Sequence, residues 1–133
     1  KNYSVYWVKN ENFPVIKSNH GSSALGLAIF GLKDCDLERL DFYEGSFGYE
    51  LRKVNILLEN KEILSYIDED EAYVYFNFDE ETEVGKDWSL DEWQLHYGLI
   101  SRLVAKEYMT LQSRLGEIDL LSEYKQIYDR LSL

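Results

Sequence analysis

At 133 residues, with 45% hydrophobic and 15% aromatic side chains, the chain has the length and apolar content of one folded domain, not of a disordered segment. Lys and Arg number 14 against 25 Asp and Glu, a formal charge of −11. Such an acidic surface repels phosphate backbones and anionic lipid, so neither nucleic acid nor a membrane is an expected partner. One cysteine, Cys35, excludes an internal disulfide and fits a reducing, cytoplasmic setting. His20 and His96 lie far apart and outside any ligand spacing, which argues against a zinc site.

Residues 1–23 read as a lead-in. Tyr3, Val5, Trp7 and Val8 suggest a short strand. Phe13-Pro14-Val15-Ile16 is extended, because a residue before proline is pushed out of the helical region. Ser18 to Ser23 is a loop by composition. The apolar run Ala24 to Phe30 then reads as a buried strand, with Gly26 marking a bulge or a close backbone approach. A short helix follows, capped by Asp34 or Asp36, with Leu37, Leu40 and Tyr43 as its apolar face and Gly45 as its stop.

Tyr49 to Leu58 is the next strand, with Val54, Ile56 and Leu58 on one face. Ile63 to Ile67 is placed as its hairpin partner, and Asp68 to Glu71 as an acidic turn. Ala72 to Phe78 is a strand rich in Tyr, Val and Phe, and Asp79 to Lys86 a charged loop. The last third is helical. Ser89 and Glu92 form a capping box. Trp93, Tyr97, Ile100, Val104, Tyr108, Leu111 and Leu115 recur at helical spacing up to Gly116. Leu120, Leu121, Tyr124, Ile127, Tyr128 and Leu131 make a second stripe. Strands first and helices last imply an α+β domain over 1–133. Its core spans about 1–95, built on a small mixed sheet, curled or barrel-like, and its helical part spans about 89–133.

The 11 tyrosines pair an apolar ring with a polar tip, which suits a partly wet cavity as well as a core. The segment Leu37 to Gly45, followed by Tyr49, carries the sharpest chemistry. It is an acidic helix with Glu44 at its C-terminal end. A carboxylate there faces the negative end of the helix dipole, and burial against Phe42, Phe47 or Tyr49 acts in the same direction. Both raise its pKa, which suits a group that picks up and releases a proton near neutrality. Composition alone leaves Glu44 open as a solvated helix-end carboxylate or a partner for Arg52. The acidic runs at 68–71 and 79–81 lack calcium-loop spacing and read as solvated turns.

Leu40-Asp41-Phe42-Tyr43-Glu44-Gly45 resembles the Leu-Asp-x-x-Glu-Gly signature of γ-glutamylcyclotransferase-like (AIG2-like) proteins. Phe13 to Ile16, Leu25 to Phe30, Tyr49 to Ile56, Ala72 to Tyr75 and Asp87-Trp88 resemble the family's flanking pieces in order, over about residues 10–90. The resemblance implies an enzyme that closes a γ-glutamyl group on itself to 5-oxoproline. Glu44 is then the catalytic acid–base, Gly45 and Tyr49 are substrate neighbours, a small-molecule γ-glutamyl compound is the ligand, and no metal or organic cofactor is needed. Two features depart from the family. No Tyr-Gly-Ser/Thr-Leu stretch is present near the start: either a natural N-terminal segment precedes Lys1, the favoured expectation because Lys1 is not a natural start, or that half of the site has been lost. Tyr49-Glu50-Leu51-Arg52 also carries one extra residue between Tyr and Arg. The alternative is a non-catalytic AIG2-like binding module, whose helical tail could dock a partner or a second copy as a homodimer.

Overall fold

A computed structural model describes residues 1–57, 72–77, 81–114, 116 and 118–133. The architecture is α+β, as the order of the patterns implies. The chain falls into two compact units: Lys1–Gly31 with Glu50–Asp87, and Leu32–Tyr49 with Trp88–Leu133.

The first unit holds the strands β1 (Tyr3–Val8), β2 (Pro14–Ser18), β3 (Tyr49–Val54, from Glu50 onward), β4 (Ala72–Asn77) and β5 (Val84–Asp87). They form a three-stranded sheet in the order β2-β1-β5 and a two-stranded sheet of β3 and β4. No closed barrel is present among the described residues. β1 and β2 pair antiparallel, Tyr3 opposite Ser18 and Trp7 opposite Pro14. The hairpin closes where Val8 N–H donates to the Phe13 carbonyl at 3.1 Å and Asn10 takes a left-handed φ of 64°. Pro14 opens an edge strand, where a missing N–H costs no ladder bond. Trp7, Val15, Val54 and Phe76 are buried, and the Tyr3 and Phe76 rings lie 5.2 Å apart.

Three expectations need correction here. Ala24 to Phe30 forms no strand: Leu25 and Leu27 are each 90% exposed. An apolar run becomes a strand only when another strand supplies its hydrogen bonds, and none does so for this run among the described residues. Val84 to Asp87, placed in a charged loop, is β5. Its side chains are all exposed, and it pairs antiparallel with β1 across a bulge between Tyr6 and Val8. The strand from Tyr49 stops at Val54. Leu58, the Ile63–Ile67 partner, the Asp68–Glu71 turn, Phe78 to Glu80 and Leu115 lie outside the described residues.

The second unit is helical. α1 spans Asp34–Gly45, and an unbroken helical run follows from Leu90: α2 (Leu90–Trp93), a π-turn (Gln94–Gly98), α3 (Leu99–Tyr108) and a 3-10 turn (Met109–Arg114). α4 covers Leu120–Leu131. The Asp36 carboxylate accepts from the Lys33 N–H at 2.9 Å at the start of α1. Ser89 Oγ accepts from the Glu92 N–H, and Asp119 Oδ1 caps α4 through the Ser122 N–H at 3.3 Å. Phe42, Val104, Tyr108 and Ile127 form the core, and Tyr43, Ile100, Leu111, Leu120, Tyr124 and Tyr128 pack against it. The apolar face of α1 is therefore centred on Phe42. Leu37 and Leu40, expected on that face, are exposed, as is Leu121 on α4. No described helix is long and apolar enough to cross a membrane.

Candidate active site

Glu44 stands in the last turn of α1. The helix ends in tighter bonds: Ser46 Oγ donates back to the Phe42 carbonyl, Phe47 N–H donates to the Glu44 carbonyl at 3.0 Å, and Gly48 N–H donates to the Gly45 carbonyl at 3.1 Å. Gly48 then turns the chain at a φ of 75°, a conformation that favours glycine. Just before it, Phe47 packs onto the rings of Tyr43, Tyr108 and Tyr124.

The result is an aromatic nest at the end of α1. Phe47 meets Tyr124 edge-on at 4.8 Å, and Tyr108 touches Phe42 at 5.2 Å, Tyr43 at 5.8 Å and Tyr124 at 5.4 Å. Burial pushes the phenols of Tyr43, Tyr108 and Tyr124 above their ordinary range. For Tyr43 a shared hydrogen bond with Tyr124 and the charge of Glu44 add to the rise. All three phenols are thus neutral at physiological pH. Tyr108 is fully buried; the Ser46 hydroxyl eases its rise, yet no hydrogen bond of normal geometry reaches its oxygen.

Glu44 is half-buried beside this nest, and burial raises its carboxyl pKa above the usual glutamate value. Desolvation is one of the two causes the sequence implies for this rise; the helix dipole, the other, acts in the same direction. An open depression of about 690 Å³ lies along α1, lined by Glu38, Asp41, Phe42, Gly45, Ser46 and Gln112. Gly45 belongs to its wall. Glu44 does not: it sits one residue back, about 100° around the helix axis. Tyr49, at the start of β3, is not among the lining residues either. Ser46 and Gln112 were not singled out from sequence. Ser46 adjoins the Glu-Gly pair and was findable there, whereas Gln112 comes from a 3-10 turn with no distinguishing pattern. Among the described residues, no three His, Cys, Asp or Glu side chains converge so as to hold a metal ion.

Neither a curated protein nor a solved structure matches the chain. The family model for gamma-glutamyl cyclotransferase, AIG2-like, matches residues 1–95, which include all of α1 and the strands. The match therefore takes in Glu44 and Gly45 and leaves out Tyr108 and Tyr124, the rings that pack behind them. On that match, and on the acidic helix that ends at Glu44-Gly45, the chain belongs to the gamma-glutamyl cyclotransferase, AIG2-like family.

Proposed function

We propose that this chain releases 5-oxoproline from a γ-glutamyl amine, amino acid or peptide, with Glu44 as general base and then general acid. The observation that supports the reading is a half-buried carboxyl whose pKa burial raises, in the Leu40–Gly45 segment that resembles the family signature and lies within the matched residues. The Glu44 carboxylate takes a proton from the α-amino group of the γ-glutamyl moiety. The freed amine attacks the γ-carbonyl carbon, and the ring closes through a new C–N bond. The amide C–N bond to the leaving amine then breaks as the Glu44 carboxyl returns its proton to that nitrogen. Nucleophile and electrophile share one molecule, so positioning supplies much of the acceleration. Gly45 and Tyr49 are proposed as neighbours of the bound γ-glutamyl group.

The test is incubation with a panel of γ-glutamyl compounds, following 5-oxoproline. Glu44→Gln keeps the shape and removes the proton acceptor. The expected loss is about 10²–10⁴-fold, the usual scale of one general acid–base group. Equal rates in both proteins would remove Glu44 from the mechanism. A second reading, a binding module without catalysis, is favoured by one observation: the open depression lies on the Glu38, Asp41 and Gly45 face of α1 and not on the Glu44 face. Absence of 5-oxoproline from the whole panel, together with saturable binding of a γ-glutamyl compound, would support that reading instead.

A further inference from the structure

The helical run from Leu90 to Tyr108 buries one side through Val104 and Tyr108 and leaves a second apolar side uncovered. Leu95, Leu99 and Leu103 are 79%, 66% and 43% exposed. Their spacing of four residues puts them in one stripe along the helix. Single exposed leucines are ordinary, but a continuous stripe of them marks a contact surface.

The charge around the stripe is ordered. The chain holds 25 Asp and Glu, yet none falls between Gln94 and Lys106. That stretch carries Arg102 and Lys106, both exposed. The acidic groups of the run are Asp91 and Glu92 before it and Glu107 after it, and Glu107 is paired with Arg130 of α4. The run therefore has an acidic start and an apolar middle, and Arg102 and Lys106 stand towards its far end.

Such a face is complementary to itself when two copies meet antiparallel about a two-fold axis. With the axis at Leu99, Leu99 meets its own copy and Leu95 meets Leu103. At about 1.5 Å per residue, Asp91 and Lys106 both stand roughly 10–12 Å from the crossing point, so each faces the other's copy within reach of a lysine side chain. A parallel pair would set acid against acid and base against base. Each copy carries a net charge of −11, which opposes association over most of the surface. The Gln94–Lys106 face is where that repulsion is relieved.

We propose that the Leu95, Leu99 and Leu103 face joins two copies of this chain as an antiparallel helix pair. The stripe is smaller than a standard interface of about 800 Å² per partner, so the dimer is weak, with a dissociation constant on the order of 100 μM.

Sedimentation of the 133-residue chain from about 10 μM to 1 mM at low salt tests this. The expected result is a mass rising from 15.7 kDa towards twice that value. Leu99→Lys places two cations on the axis and should keep the chain monomeric throughout, with an unchanged circular dichroism spectrum. Asp91→Lys alone should weaken the dimer about tenfold, and Asp91→Lys combined with Lys106→Asp should restore it. A wild-type chain that stays monomeric at the top concentration overturns the proposal. So does a dimer that Leu99→Lys leaves intact, or a double variant that fails to recover. Binding of the wild-type monomer to anionic vesicles, lost in Leu99→Lys, would assign the face to a lipid surface and overturn it as well.

Discussion

Replacing Tyr108 by alanine should be the most damaging single change in the helical unit. The side chain is fully buried and touches four other rings: Phe42, Tyr43, Phe47 and Tyr124, at 5.2 to 6.0 Å. Truncating a buried aromatic costs about 3–5 kcal/mol, and each lost ring pair accounts for about 0.5–1.5 kcal/mol within that figure. For a chain of this length, roughly 4 °C of melting temperature accompanies each kcal/mol, so Tyr108→Ala should melt about 12–20 °C lower. Tyr108→Phe keeps the ring and removes a hydroxyl that makes no hydrogen bond of normal geometry, so it should melt within about 3 °C of wild type. Thermal unfolding followed by circular dichroism separates the two variants. A loss under about 1 kcal/mol in Tyr108→Ala would mean that the aromatic nest does not hold the end of α1.

Three further outcomes follow from the same geometry. The folded-state pKa of Glu44 is raised, so its contribution to stability is complete below the unfolded value of 4.5 and is lost as pH rises through the folded value. Glu44→Gln should therefore be more stable than wild type at pH 7, with the gap closing towards pH 4; urea titrations at the two pH values check the sign, and a less stable Gln variant at pH 7 contradicts it. Gly48→Ala meets no atom within 4 Å but forces a side chain to a φ of 75°, so chemical denaturation should show a loss of about 1 kcal/mol; no loss would mean that the turn after α1 relaxes freely. The Arg130–Glu107 ion pair joins α4 to α3 with both side chains well exposed, so Arg130→Ala should cost under about 1 kcal/mol and less still in high salt; a loss above about 2 kcal/mol would show a role beyond a surface pair.

Much of the helical unit could be read from the chain. Val104 and Tyr108 sit four residues apart, both are fully buried, and the Ser89 cap lies where the sequence puts it. β1 and β2 were legible through their alternation and through Pro14. The misreadings share a physical cause, which is that local apolarity reports what a segment would bury and not what covers it. Leu25 and Leu27 look like core and are exposed, while β5 looks like a solvated loop and pairs through its backbone with β1. Leu37 and Leu40 misled in the same way, because Phe42 on a different face outcompetes them for the tyrosine rings. The π-turn at Gln94–Gly98 adds one residue to a helical period, too small a change for a periodicity to register.

At the candidate site, the desolvation of Glu44 was legible as one of two causes, and Gly45 lines the depression on α1. The aromatic nest beside Glu44 was less legible. The rings of Tyr108 and Tyr124 come from helices beyond residue 95, more than sixty positions along the chain, and meet Phe47 just past the end of α1. Only the folded chain shows that the acidic signature helix and the helical tail share one aromatic nest.

Proton transfer at Glu44 depends on a carboxyl whose affinity for protons is shifted by its surroundings. Carbon-13 NMR of the glutamate side-chain carboxyls across a pH series, with the Glu44→Gln protein identifying the resonance, reads that property directly. A midpoint clearly above 4.5 is the predicted result. A midpoint at or below that value would show a carboxylate held as if in open water, and would contradict the account.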